Sequence, residues 1–244
     1  QAIQFQNALL RLNKELSKEG ELTNKLELIA KVAQEALNVT QVTIWQVSPD
    51  RQHIHCVVAV GGNSEQLKGK TLPIGLNYMV SLEGNRAIAV SSVLTDPRTS
   101  ELSECYWIPY GFKATICIPV QVEGKIVNIV CCEHSEERKW TVSEIEFAGN
   151  IADFVAKAIL ESRQRRREQY LSTLSQISLQ LVVVTEWQGV IPAFLEDIGK
   201  LAGADRAFLA QLVIDDRGCE VLKCLSVWSV DGFVEDDWEF QLDE

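Results

Sequence analysis

The strongest constraint on this chain lies between Gly111 and Trp140. Ala114–Val120 and Ile126–His134 are rich in β-branched and small apolar residues, and Gln121-Val122-Glu123-Gly124-Lys125 separates them. A Glu-Gly pair between two such runs predicts a tight β-hairpin. Both runs are apolar at odd and even positions, so both faces of these strands should be covered. By the period of two, Thr115 and Cys117 share one face of the first strand, and Ile129, Cys131 and Glu133 share one face of the second. Thr141-Val142-Ser143-Glu144 follows. It reads as a capping box, with Thr141 as N-cap and Glu144 three residues on. The helical pattern it opens meets no breaker until past Leu181.

Around this unit the chain alternates helical and strand patterns. Residues 3–18 predict a helix with Phe5, Leu9, Leu12 and Leu16 on a narrow, coiled-coil-like seam. Thr23–Leu37 predicts a second helix, Val39–Val47 and Ile54–Val60 two strands, and Ser48-Pro49-Asp50 the turn between them. A short helix over Asn77–Leu82 and a strand over Ala87–Val93 are expected next. The irregular stretch Thr95–Tyr110 carries Asp96, Tyr106, Trp107 and Tyr110, and long aromatic excursions of this kind form walls or lids.

The chain then repeats itself. Leu26, Ile29 and Ala33 correspond to Ile191, Phe194 and Ile198 at a constant offset of about 165 residues, and Val39–Val47 corresponds to Ala204–Leu212. The expected organisation is therefore a seam helix over 1–20, a first domain over 21–160 and a connecting helix over 141–181. A second, truncated module with two strands, Ala207–Val213 and Glu220–Val230, fills 182–244. The second counterpart of the hairpin would fall near about residue 289, so a piece of a longer protein is expected, as is also suggested by a first residue that is Gln.

Charge and chemistry narrow the function. A net charge of -11 argues against a nucleic-acid footprint and against binding an anionic membrane surface. The apolar runs are far shorter than the roughly 18 residues of a membrane span. Seven cysteines, mostly inside strands, read as reduced thiols of a cytoplasmic protein. Cys131 and Cys132 point to opposite faces, which disfavours a bridge between them. Gly61-Gly62 lacks the Lys-Ser/Thr sequel of a phosphate loop, and no nucleophile elbow is present. Cys132 and His134 share a face while Cys131 points away, so at most two metal ligands converge. No catalytic residue, no metal and no cofactor is expected.

The order Asp96-Pro97-Arg98, Ala114-x-Ile116-x-Ile118-Pro119-Val120, Glu123-Gly124-Lys125, Glu133-His134, Arg138-x-Trp140 and Phe147 resembles a GAF domain of the bacterial and cyanobacterial sensor type. The resemblance implies an α+β fold: an antiparallel sheet of five or six strands, helices on one face, crossover loops on the other, and long coiled-coil-like helices at the flanks. It also implies that Thr115, Cys117, Cys131 and Glu133 line a pocket under Asp96, Tyr106, Trp107 and Tyr110, open to an unknown small molecule or collapsed and filled. Pigment-binding relatives carry a Cys at the position of Leu102 and a pocket His at the position of Glu133; both are missing, so the expected type carries no bilin. Methionine sulfoxide reductases of this fold carry Ser-Glu where Ala114-Thr115 stands.

The function expected is a cytoplasmic sensory or regulatory module of a signal-transduction protein of the histidine kinase or cyclase type, its output domain lying elsewhere in the polypeptide. The alternatives are a bilin photosensor and a reductase-like enzyme. A parallel homodimer is expected, held by Phe5, Leu9, Leu12 and Leu16 and by Val155, Ile159, Tyr170, Leu174 and Ile177, with the arginines at 163–167 as a solvated break.

Overall fold

The structure is a computed structural model that describes residues 2–84, 86–183, 189–215, 218–230 and 239–241. It divides into two units, residues 1–163 and 164–244.

The first unit begins with an α-helical hairpin, α1 (Ala2–Leu16) and α2 (Leu22–Leu37), followed by strands β1 (Gln41–Val47) and β2 (His53–Gly61). The single turn α3 (Ser64–Leu67), β3 (Thr71–Pro73), α4 (Leu76–Gly84) and the short β4 (Ile88–Val90) come next. A 3-10 turn (Ser100–Leu102), a π-helical turn (Ser103–Trp107) and α5 (Ile108–Tyr110) lead into the hairpin β5 (Ala114–Val122) and β6 (Lys125–His134) and the long helix α6 (Val142–Val183). All six strands form one antiparallel sheet in the order β3-β2-β1-β6-β5-β4.

The central hairpin turns on two residues, because Val122 pairs with Lys125 and both Glu123 (φ 54°) and Gly124 (φ 76°) occupy the left-handed region. That is the requirement of a type I′ turn, which Gly meets at no cost. The capping box is reciprocal: Glu144 N donates to Thr141 Oγ1 (3.3 Å) and Thr141 N to Glu144 Oε2 (2.8 Å). Arg138 locks this start to the rest of the domain. It pairs with Glu144, donates to the Leu37 and Asn38 carbonyls at the end of α2, and lies 4.6 Å over the Trp140 ring.

Two cores flank the sheet. Ile116, Ile118, Val120, Val130 and Cys132 face α1, α2 and α6, while Trp45, Cys56, Cys117, Ile129 and Cys131 face α4 and the crossovers. A bulge sends Val58 and Cys56, two residues apart, to opposite faces: Ile44 pairs with Val58 but Trp45 with Cys56, leaving Val57 as the extra residue.

Several boundaries differ from the sequence reading. The first strand starts at Gln41, because Asn38 takes a left-handed cap (φ 52°) and Val39 N bonds back to Gln34 O. The strand expected over Ala87–Val93 shrinks to Ile88–Val90, since Val93 N is already engaged by Lys113 O.

The seam residues need the larger correction. Phe5 and Leu12 are buried within their own domain, with Phe5 stacked on Phe147 at 4.4 Å. Val155 and Ile159 are buried in that same helical core. A helix that packs against two neighbours needs no symmetry mate to cover its stripe. Leu9 and Leu16 are half-buried against that core, and the exposed apolar side chains of α1 are instead Ile3 and Leu10. Tyr170 is exposed and Leu174 half-buried; the side chain of Ile177 lies outside the described residues.

The second unit contains the remainder of α6, then α7 (Ile191–Ala202), β7 (Arg206–Ile214), β8 (Glu220–Ser229) and β9 (Glu239–Gln241) in the order β7-β8-β9. Three strands are present where the sequence suggested two. The repeat shows in detail: Gly203 caps α7 at φ 63° as Asn38 caps α2, and the β7–β8 register slips between Leu209 and Ala210 as β1–β2 slips between Ile44 and Trp45. Both features recur at the offset of about 165 residues.

Candidate functional site

The candidate site is the sheet face opposite the long helices. Strand pairing sets Thr43 beside Cys131, Cys131 beside Cys117, and Glu133 beside Thr115. Glu133, fully buried, is the centre of a polar network. Its Oε1 accepts from Thr43 Oγ1 (2.6 Å) and from Tyr106 Oη (2.7 Å), while Trp45 Nε1 donates to Thr43 Oγ1 (2.8 Å). An indole N–H can only donate, so the one hydroxyl proton of Thr43 is free to go to Glu133. Oε1 therefore acts as the acceptor of the carboxyl group. Oε2 is buried and has no partner among the described residues.

Burial pushes the Glu133 carboxyl well above the usual carboxylate range, and the hydrogen bonds from Thr43 and Tyr106 only partly oppose this. A neutral carboxyl whose Oε1 is saturated by donors carries its proton on Oε2. What it lacks is an acceptor. An orphaned buried polar atom costs about 1–3 kcal/mol, so this network stores a demand for one more hydrogen bond.

Tyr106 covers the network. It meets Trp45 edge-on at 5.4 Å and Trp107 at 4.6 Å between ring centroids. Its backbone belongs to the π-helical turn, a rare conformation that is frequent at functional sites. Trp107 is fixed from beneath by its Nε1 donating to Thr99 O (2.8 Å). Tyr110 sits at the rim, half-buried, with the Lys70 ammonium donating to its hydroxyl. The side chain of Tyr106 thus fills the space a pocket would occupy, and Thr115, Cys117, Cys131 and Glu133 lie sealed below it.

Asp96 does not join this group. Its carboxylate is held by Arg98, at 2.9 Å to Nε and 2.6 Å to Nη2, and that pairing keeps it below the ordinary carboxylate range. The Asp96-Pro97-Arg98 motif builds a turn, and Thr99 Oγ1 anchors it through Val93 O (2.9 Å). Sequence reading missed Thr43, Trp45 and Tyr78, all on this face; the alternation of β1 about Val42 and Ile44 was the available signal. Tyr78, buried from α4, lies 3.8 Å from Cys131 Sγ through its hydroxyl. Among the described residues no three His, Cys, Asp or Glu side chains gather as metal donors. Nor is any described helix long and apolar enough to cross a membrane. An open groove of about 380 Å3 lies elsewhere, between the end of α4, Gln121 and Asp153 of α6.

The profile of the GAF domain matches residues 21–159. No curated protein matches the chain significantly. Among solved structures, the GAF domain of a phosphoenolpyruvate-protein phosphotransferase from Coxiella burnetii is 20% identical, with a TM-score of 0.56 over 67% of this chain and 97% of that one. The phycoerythrobilin-bound GAF domain of a cyanobacterial phytochrome is 18% identical, with a TM-score of 0.60 over 68% and 99%. The free methionine-R-sulfoxide reductase of Neisseria meningitidis, in complex with its substrate, is 16% identical, with a TM-score of 0.57 over 67% and 93%. At these identities the likeness is one of fold.

Proposed function

The chain belongs to the GAF domain family, and from that premise we propose that it is a non-enzymatic sensory module of a signal-transduction protein of the histidine kinase or cyclase type. The observation that carries this reading is a continuity of chain. Glu133, at the end of β6, holds the buried network, and within a few residues the same segment is clamped by Arg138 and capped into α6. In this reading a compact small molecule displaces Tyr106 and supplies the acceptor that Glu133 Oε2 lacks. The displacement shifts β6, and α6 conveys it beyond residue 163. The module acts in the cytoplasm as a parallel homodimer, with the exposed Tyr170 and Leu171 and half-buried Leu174 as its helical seam. The α7–β7–β8 repeat, with its matching cap and bulge, supports a second GAF-like module.

The test is a thermal-shift screen of cyclic nucleotides, nucleobases and small cyclic amides against wild type and Glu133→Ala. A ligand present at a hundred times its Kd stabilises the native state by about 2.7 kcal/mol. The reading predicts a compound that raises the Tm of wild type and leaves the variant unmoved. A panel with no active compound, or one that shifts both proteins equally, would count against it.

A further inference from the structure

Cys117 and Cys131 are directly opposite one another on β5 and β6, on the sheet face away from the long helices. Directly opposed residues of an antiparallel pair have Cα atoms about 4.5 or 5.5 Å apart, and both values fall within the span of a disulfide. Both side chains are buried in the same core on that face. Thr115 Oγ1 stands 3.3 Å from Cys117 Sγ and Tyr78 Oη 3.8 Å from Cys131 Sγ, so each sulfur also has a hydroxyl neighbour. The other cysteines of the sheet are not so placed: Cys132 faces the helices, and Cys56 is paired with Trp45.

We infer that Cys117 and Cys131 form a reversible oxidation site, closing to a cross-strand disulfide when the protein meets a hydroperoxide. In the first step the Cys117 sulfur attacks the peroxide O–O bond, gives a sulfenic acid and releases the other peroxide oxygen as water from hydrogen peroxide or as an alcohol from an organic hydroperoxide. In the second the Cys131 thiol attacks that sulfur, the S–S bond forms, and the hydroxyl leaves with the thiol proton as water. Two thiols lose two electrons and one peroxide gains them. A dithiol reductant reverses the bond.

The neighbours order the two roles. Burial raises the Cys117 thiol, but the polar neighbours Cys131, Thr115 and Tyr78 and the charge of Arg98 outweigh it and hold the thiol below its ordinary range. Cys131 is pushed well up, first by burial and then by Cys117. The thiolate is the nucleophile, so Cys117 reacts first and Cys131 resolves. Both thiols are covered, which favours a water-sized oxidant over a bulky reagent.

The test is made on the whole 244-residue chain carrying Cys105→Ser and Cys219→Ser, which removes the two half-buried thiols. The folded protein is treated with hydrogen peroxide, alkylated in denaturant and digested with trypsin. Cys117 and Cys131 then fall on separate peptides, 114–125 and 126–138. The proposal predicts one linked species through Cys117 and Cys131, returned to two alkylated peptides by dithiothreitol. In a Cys131→Ala background Cys117 should accumulate as a dimedone-reactive sulfenic acid, whereas in Cys117→Ala no sulfenic acid should appear at Cys131. Free thiols at both positions after peroxide would overturn the assignment, as would a link through Cys132 or a bond that forms only after unfolding. The mapping in the otherwise native sheet decides the matter even where a core Cys→Ala variant folds poorly.

Discussion

Replacing Glu133 by Gln isolates the energetic consequence of a buried carboxyl. Its native-state pKa is raised by burial, so the folded protein holds a proton that the unfolded chain gives up above its ordinary carboxyl pKa of about 4.3. Below that value both states are protonated and the group costs nothing extra. As pH rises from there toward the raised native pKa, the unfolded state binds fewer protons than the folded one, and stability falls. One proton contributes a slope of about 1.4 kcal/mol per pH unit, and the wild type should lose stability at up to that rate for as long as the pH lies between the two pKa values. Gln keeps an acceptor oxygen for Thr43 and Tyr106 but has no proton to lose. Urea denaturation of both proteins at pH 5, 6, 7 and 8 measures the difference, with the midpoint converted through the urea slope. The variant should be flatter than wild type, and should gain on it as pH rises from the ordinary carboxyl range toward the raised native pKa. Parallel curves would refute the account of Glu133 as a protonated buried acid. A wild type that gains on the variant with rising pH would show that its carboxylate is stabilised by a cation.

Arg138→Ala should destabilise the domain by about 2–4 kcal/mol in urea titration, because it strips Glu144, nearly buried, of its charged partner and frees two carbonyls at the end of α2. Arg138→Lys should recover only part of that loss, since a compact ammonium lacks the planar fork whose separate nitrogens reach the two carbonyls and which lies over Trp140. Expressed with a bilin supply, the purified chain should stay colourless, as Leu102 and Glu133 stand where pigment-binding relatives use Cys and His; a zinc-fluorescent band on a denaturing gel would contradict this. Leu174→Asp should lower the molar mass seen by light scattering at tens of micromolar, and a wild type that is already monomeric would dispose of the helical seam.

Much of the fold was legible because its determinants are local. The Glu123-Gly124 turn, the Thr141–Glu144 box and the breaker-free run after it specify the hairpin and α6 from adjacent residues. Alternation likewise grouped Thr115 with Cys117 on one strand and Cys131 with Glu133 on the next, while the choice of face rested on the family resemblance. Three things were not legible, and each depends on distant partners. The stripe of Phe5 and Leu12 looks like a coiled-coil seam in isolation; only the placement of Phe147 shows that it is core. The bulge in the hairpin, where the register slips between Val120 and Gln121, advances β6 by one residue. Counting back from the turn would set Val130 opposite Cys117; the slip sets Cys131 there. Finally, Tyr106 and Glu133 are far apart in sequence, so the sealing of the pocket by a tyrosine hydroxyl follows from the crossover path, which composition does not encode.

The central claim is that the state of the Tyr106 cover reaches α6 through the sheet. Hydrogen exchange in wild type and Tyr106→Ala, followed along residues 142–175, tests it without any ligand. Tyr106 packs on the face opposite α6, so a merely local cavity would speed exchange only around residues 99–112 and 133. The account predicts that amides of α6 near Ile151, Val155 and Ile159 exchange about tenfold faster in the variant, a local loss of about 1.4 kcal/mol. Unchanged protection along α6, beside a loosened crossover, would contradict it.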